Sequence, residues 1–184
     1  MLRRHFLPLL ALPAAAQSPT LDWHSAQKLR IEGLGFKDRK SPYDLFPLRA
    51  EGVVRNAVWT LSRDSSGVLV RFLTSSASLH ARWTLTSKNL ASANITATAA
   101  SGLDLYAKTD AGRRQWLSIG KPTKFPDASD VLVAKLPPAP AAGREFMLYL
   151  PLRNGVTSLE IGVSPQATVT PAAARPASRK PLAF

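Results

Sequence analysis

Few residues in this 184-residue sequence could perform hydrolysis. After residue 16 the chain contains two histidines, His24 and His80, and neither is paired with an aspartate at a spacing recognisable as catalytic. A serine nucleophile needs a general base and an oxyanion hole beside it. The chain contains neither a Gly-x-Ser-x-Gly elbow nor a Gly-Asp-Ser triplet. We therefore predict no catalytic residues in this chain.

Ligands for a metal or cofactor are also sparse. The sequence contains no cysteine, which excludes disulfides and zinc–thiolate sites. Its two remaining histidines and scattered carboxylates do not follow the spacing of a transition-metal site. No glycine-rich phosphate-binding loop is present. We predict neither a metal nor a cofactor.

Four side chains are candidates for contact with a substrate or a neighbouring domain: Asp104, Tyr106, Trp116 and Asn154. Asp104 and Tyr106 alternate with Leu103 and Leu105, so they share one face of a strand. That face can bind a sugar or meet another domain; alternatively, Tyr106 is buried and its hydroxyl bonds to Asp104. Trp116 alternates with leucine and isoleucine and is expected on the solvent-exposed face of the sheet.

The elements that position these residues are predicted to be strands. Residues 79–86 alternate most cleanly, with Leu79, Ala81 and Trp83 on the apolar side, which predicts a core role for Trp83. Further strand patterns occupy 29–36, 57–61, 68–73, 103–108, 113–119, 131–136, 146–152 and 159–163. About eight strands separated by turns, without an ordinary amphipathic helix, predict an all-β antiparallel sandwich resembling a jelly roll, with an open barrel as the alternative.

The organisation along the chain follows from composition. Residues 1–16 read as a signal peptide, because Arg3 and Arg4 precede a short apolar stretch and a small-residue cleavage site. Residues 17–28 are predicted to be a lead-in segment, 29–164 the sandwich, and 165–184 a basic linker rich in alanine and proline. We expect an exported, periplasmic or extracellular protein without a membrane span.

The formal net charge of +12 favours adhesion to anionic polymers such as acidic polysaccharide. The basic residues are spread along the chain, however, and form no stripe interleaved with aromatic side chains. A nucleic-acid partner is therefore not predicted.

The central stretch Gly102-Leu103-Asp104-Leu105-Tyr106 resembles the signature of the accessory domain that precedes the catalytic domain in one group of SGNH-type (GDSL-like) esterases. Other stretches resemble the same family: 42–44, 58–63, 82–86, 148–156 and 179–184. The resemblance covers residues 33–184, most of the chain after the predicted signal peptide.

The resemblance implies a jelly-roll domain packed on an α/β SGNH domain, in cis or in trans. In this family, the catalytic domain supplies the serine, aspartate and histidine, and the esterases remove acyl groups, often from carbohydrate. None of those catalytic residues has a counterpart here. Because Phe184 falls where a catalytic domain would begin, we expect a truncated or split product.

Three hypotheses about function follow. The first is a supporting or substrate-positioning domain of an SGNH-type esterase, inactive alone. The second is a free-standing exported module that binds acidic or acylated polysaccharide. The third is a hydrolase whose unfamiliar triad forms only in space.

Overall fold

The computed structural model describes residues 20–176. Its ten strands are β1 (Asp22–Ser25), β2 (Arg30–Glu32), β3 (Leu69–Thr74), β4 (Leu79–Leu85), β5 (Leu103–Lys108), β6 (Arg114–Gly120), β7 (Asp127–Val133), β8 (Arg144–Tyr149), β9 (Val156–Val163) and β10 (Val169–Pro171). Two short α-helices are α1 (Asn56–Leu61) and α2 (Ala97–Ser101). Single 3-10 turns occupy Ala26–Lys28 and Leu48–Ala50.

The strands form two antiparallel sheets. The four-stranded sheet has the order β1-β9-β4-β7, and the six-stranded sheet has the order β10-β3-β8-β5-β6, with β2 also pairing with β3. This arrangement confirms the predicted all-β sandwich. The strand count is ten rather than about eight, because the short strands β1 and β10 lie in segments that were predicted as lead-in and linker.

Alternating residues of both sheets fill the core. On β4, Leu79 and Ala81 are fully buried, and Trp83 is 2% exposed, as predicted. The indole of Trp83 donates a hydrogen bond to the carbonyl of Ser101 over 3.1 Å. Its polar group is thus satisfied inside the core, as buried indoles require.

The strand predicted over residues 57–61 is wrong, because these residues belong to helix α1. A short apolar run does not distinguish a strand from a buried helical turn. Here the backbone amides of Trp59 and Ser62 bond to carbonyls four residues earlier, and the Ser62 hydroxyl donates to the Trp59 carbonyl. Local hydrogen bonds thus replace sheet pairing.

The sheets extend beyond the predicted limits of 29 and 164. β1 lies inside the predicted lead-in segment and pairs with β9, and β10 lies inside the predicted linker and pairs with β3. The predicted signal peptide, 1–16, and the final part of the linker, 177–184, lie outside the described residues. Within 20–176, no helix is long and apolar enough to span a membrane.

Candidate functional site

The outer face of the six-stranded sheet carries most of the predicted contact residues. On β5, Leu103 and Leu105 are fully buried in the core, so Asp104 and Tyr106 point outward. Strand register extends this outward set to neighbouring strands. We call the resulting surface the signature face, and its residues are Leu69, Arg71, Asp104, Tyr106, Trp116, Ile119, Met147 and Tyr149.

The signature face consists of two cross-strand rows. In the first row, successive partners are Arg71, Met147, Tyr106 and Trp116. In the second row, they are Leu69, Tyr149, Asp104 and Ile119. Directly paired side chains on one face of a sheet lie within contact distance. The rows therefore bring aromatic, apolar and charged side chains together; Leu69, Arg71 and Met147 are buried among them, and the other side chains are accessible.

Trp116 is the most accessible aromatic residue on this face. It is 52% exposed, and its indole nitrogen donates a hydrogen bond to Asp104 Oδ1 over 3.2 Å. The bond fixes the ring while leaving much of its surface in water. Two residues predicted as contact candidates are thus brought together, and the exposed position expected for Trp116 is observed.

Tyr106 packs against a second tyrosine. Its ring and that of Tyr149 meet edge to face, with centroids 5.7 Å apart and an interplanar angle of 74°. Aromatic pairs favour this geometry because the positive ring edge meets the negative ring face. Tyr106 is half-buried, and Asp104 accepts a hydrogen bond from the Trp116 indole rather than from the Tyr106 hydroxyl.

The contact role predicted for Asn154 requires correction, because this residue is fully buried. Its amide nitrogen donates to the Ser87 carbonyl at 2.9 Å and to Ser101 Oγ at 3.0 Å. Its amide oxygen accepts from the Ser87 backbone amide at 3.0 Å. Asn154 therefore joins three chain segments and has no surface to offer a ligand.

A second concave surface lies beside helix α1. We call it the α1 cleft; it has a volume of about 640 Å³ and is lined by Lys40, Trp59, Thr60, Leu61, Arg63, Asp64, Thr86, Ser87 and Arg153. Four of the segments that carry the sequence resemblance meet around this cleft. Gly155 belongs here for steric reasons, since an added Cβ would lie 2.4 Å from the Arg63 carbonyl oxygen.

The centre of the α1 cleft is an ion pair with an aromatic neighbour. Arg63 Nη1 lies 2.8 Å from the buried Asp44 Oδ2, and the Arg63 guanidinium lies 5.7 Å from the centroid of the Trp59 ring. Burial raises the pKa of Asp44, and the charge of Arg63 opposes that shift. Burial also raises the pKa of the neighbouring Tyr43. These groups act chiefly as internal supports of the cleft.

The two histidines do not form a catalytic pair in the described part of the chain. Within residues 20–176, neither His24 nor His80 hydrogen-bonds to a serine or a carboxylate. His80 is partly buried on β4, and burial lowers the pKa of its imidazole while the charge of Asp130 opposes that change. No group of three metal-ligating side chains occurs in the same range.

Sequence reasoning missed the apolar part of the signature face. Leu69 and Met147 are 6% and 3% exposed, although neither belongs to the core cluster between the sheets. The available signal was that β3 and β8 carry large apolar residues at successive positions, on both faces. A strand that is apolar on both faces indicates that both are covered.

Comparisons with known proteins agree on one family. The family model described as "GxDLY: N-terminus of Esterase_SGNH_hydro-type" matches residues 21–169. A search of curated proteins gave no match.

The solved structures that are similar to this chain include two longer proteins. One is a putative GDSL-like lipase from Bacteroides ovatus, with 29% identity, a TM-score of 0.76, and coverage of 84% of this chain and 44% of that protein. The other is the salicylyl-acyltransferase SsfX3 from a tetracycline biosynthetic pathway, with 17% identity, a TM-score of 0.51, and coverage of 88% and 42%; this likeness concerns the fold alone. The chain thus spans less than half the length of either protein. Because the family model covers most of the sequence, the chain belongs to the GxDLY family, the N-terminal domain of SGNH-type esterases.

Proposed function

We propose that this chain is a non-catalytic domain that supports an SGNH-type catalytic domain, positions its substrate, and is inactive alone. The observation that carries the proposal is the family match over residues 21–169. The lipase from Bacteroides ovatus supports it, because the similar region makes up 44% of that longer protein. The catalytic partner is supplied in cis or in trans.

The side chains of the described residues support an inactive role. Acyl transfer needs a nucleophile hydrogen-bonded to its base, and the base oriented by a third group. The charge of Asp130 acts on His80, but the two side chains share no hydrogen bond. Within residues 20–176, no serine hydroxyl bonds to either histidine. The arrangement offers contact surfaces rather than a reaction centre.

An ester-hydrolysis assay tests this proposal. The purified chain starting at Gln17 is incubated with 4-nitrophenyl acetate and with acetylated xylan, and compared with a heat-denatured sample. We expect no hydrolysis above the denatured control. Turnover that is abolished by denaturation and retained through repeated purification would overturn the non-catalytic role.

A free-standing polysaccharide-binding module is the second candidate, favoured by the exposed Trp116 ring that Asp104 holds in place. Aromatic rings stack on sugar rings, and the net charge of +12 favours acidic glycans. Affinity electrophoresis in gels containing pectin or acetylated xylan tests this candidate. Retardation that is lost in Trp116→Ala and Tyr106→Ala, but kept in Leu152→Ala, would support it. The Leu152 side chain is similarly exposed at a different surface.

We also propose that the chain is exported through the predicted signal peptide at residues 1–16. The basic start, the short apolar stretch and the small residues before Gln17 support this assignment. Expression of the whole sequence in a bacterium, followed by N-terminal sequencing of the periplasmic fraction, tests it. We expect the mature protein to begin at Gln17; retention of Met1 in the cytoplasm would contradict export.

A further inference from the structure

We propose that the signature face is the surface on which the SGNH-type catalytic domain docks. This inference rests on the proposed function and adds the location of the interface. Its grounds are the difference between the two outer faces of the sandwich, the exposed tryptophan and the tyrosine pair on the signature face, and the path of the chain after β10.

The two outer faces of the sandwich differ in chemistry. The outer face of the four-stranded sheet is mostly polar: Arg82 pairs with Glu160, and the Thr84 hydroxyl donates to Asp127 Oδ1 over 2.8 Å. Its aromatic residue, Trp23, lies under the Arg82 guanidinium, 4.3 Å from the ring centroid, and Val131 is 48% exposed on the edge strand β7. A polar face of this kind is stable in water without cover. The signature face instead carries aromatic and aliphatic side chains in both of its rows.

The chain itself already covers the centre of the signature face, where Leu69 and Met147 are buried. The accessible aromatic part of the face is formed by Tyr106 and Tyr149, which are half-buried, and by Trp116 at the β6 edge, which is 52% exposed. Interfaces are enriched in tyrosine and tryptophan, and a few such anchors carry most of the binding energy.

The path of the chain after β10 leads onto the same face. β10 pairs with residues 72–74 of β3, and β2 occupies the same β3 edge at 69–71. The Ala172 amide still bonds to the Arg71 carbonyl at 3.3 Å, and β2 prevents pairing along this edge beyond that point. The Ala173 carbonyl accepts a hydrogen bond from Arg71 Nη1 at 3.2 Å, and Arg175 Nε lies 2.6 Å from Glu32 Oε2.

These contacts place the segment after β10 over the outward side chains of β2 and β3. Arg71 is 7% exposed and also pairs with Glu32 at 2.7 Å and with Glu145. Trp116 lies three strands away in the same row, roughly 14 Å at the usual strand spacing. A domain that follows this segment, or that binds beside it, meets the aromatic surface directly.

Charge at the β6 edge indicates the partner's chemistry. Lys108 and Arg114 are exposed and directly paired, and Arg113 is exposed next to them. Complementary charge at the rim favours association and orients the partners. The fitting partner surface is an apolar patch that accepts the Trp116 ring and is flanked by carboxylates.

Single-cysteine protection tests the docking surface. The sequence contains no cysteine, so one introduced thiol reports on one position. Arg114→Cys places the thiol on β6 beside the signature face, two residues from Trp116, and Ser129→Cys places it on the outer face of the four-stranded sheet; both native side chains are exposed. The flanking DNA is sequenced first, and the probe is an SGNH-type catalytic domain found there, expressed separately or as a continuation of this chain.

We expect the catalytic domain to slow alkylation of the Arg114→Cys thiol at least tenfold and to leave the Ser129→Cys thiol unchanged. In a binding assay, Trp116→Ala should weaken association by about tenfold or more, since truncated tryptophan anchors have effects of this size. Val53→Ala, at an 81% exposed position away from the face, is the matched control and should bind normally.

The experiment distinguishes a wrong docking surface from a wrong proposed function. If the catalytic domain binds but protects Ser129→Cys rather than Arg114→Cys, the docking surface is wrong and the proposed function stands. If no SGNH-type domain is encoded in that region, or the encoded domain does not bind the chain at all, the proposed function and the docking surface both fail.

Discussion

Asn154 acts as an internal connector between the β8–β9 turn and two distant segments. Each of its amide atoms bonds to another part of the chain while the side chain is fully buried. A buried polar group that loses its partner costs about 1–3 kcal/mol. Its role follows from contacts with Ser87 and Ser101, which no local sequence pattern brings together.

Replacing Asn154 by alanine should lower the free energy of unfolding by about 2–4 kcal/mol, because several buried partners lose their hydrogen bonds. Urea denaturation followed by circular dichroism measures the change. Asn89→Ala is the control, because Asn89 is exposed and should change stability by less than about 0.5 kcal/mol. Equal stability of the two variants would show that the Asn154 amide is not a structural connector.

His80 should make folding stability depend on pH. Burial lowers its pKa below the ordinary value of 6.5, so the folded state binds fewer protons than the unfolded state near that pH. The stability that this difference in pKa contributes is fully present above pH 6.5, and it is lost as the pH falls through the lowered pKa of the folded state. The thermal midpoint of the native chain should therefore decrease as the pH is lowered from 7.5 to 5.5, and His80→Gln should make that decrease smaller. An identical decrease in both proteins would remove His80 as the cause.

Single-residue positions were predictable where alternation decided them. Trp83 was assigned to the core and Trp116 to the wet side, and the structure places them at 2% and 52% exposure. The bond from Trp116 to Asp104 was not predictable, because a β-bulge between Leu105 and Tyr106 shifts the register of β5 against β6. A bulge changes which side chains meet, and it leaves a weak mark in the sequence.

Strands long enough to show a clear alternation of apolar and polar residues were predicted more accurately than short elements. β4 matches its predicted range because seven residues alternate between core and solvent. α1 was mistaken for a strand because five residues are too few to establish a period. β1 was predicted as a lead-in because its place in the sheet comes from pairing with β9, more than 130 residues away in sequence.

The turn between β8 and β9 depends on a glycine at position 155. A Cβ there would lie 2.4 Å from the Arg63 carbonyl oxygen and 2.7 Å from Thr86 Oγ1. Gly155→Ala should therefore destabilise the fold by about 1–3 kcal/mol through overpacking. Gly35→Ala is the matched control, since nothing lies within 4 Å of its added Cβ. Thermal unfolding of the two variants gives the comparison, and a Gly155→Ala midpoint equal to that of Gly35→Ala would disprove the close approach.

At the scale of the whole molecule, the sandwich class was predictable and the sheet order was not. Regular strands with turns between them indicate two packed antiparallel sheets. Which strands become neighbours depends on long-range pairing, such as β5 with β8 and β3 with β8. The apolar outer face emerges only from that order, because its two rows take residues from four strands.

In the proposed function, this molecule is the supporting half of a two-part esterase, and the catalytic chemistry belongs to the partner. In the proposed docking, the outer face of the four-stranded sheet stays in water, and the signature face presents a rigid surface to the partner. Rigid placement of a substrate contributes to catalysis without any reacting group.

The most direct measurement titrates the purified chain into an SGNH-type catalytic domain found by sequencing the flanking DNA and records the rate of acetyl-ester hydrolysis. We expect no hydrolysis by the chain alone and a rate that rises with added chain to a plateau at one equivalent. Hydrolysis by the chain alone, or a catalytic-domain rate that is unchanged at every ratio, would overturn the proposed supporting role.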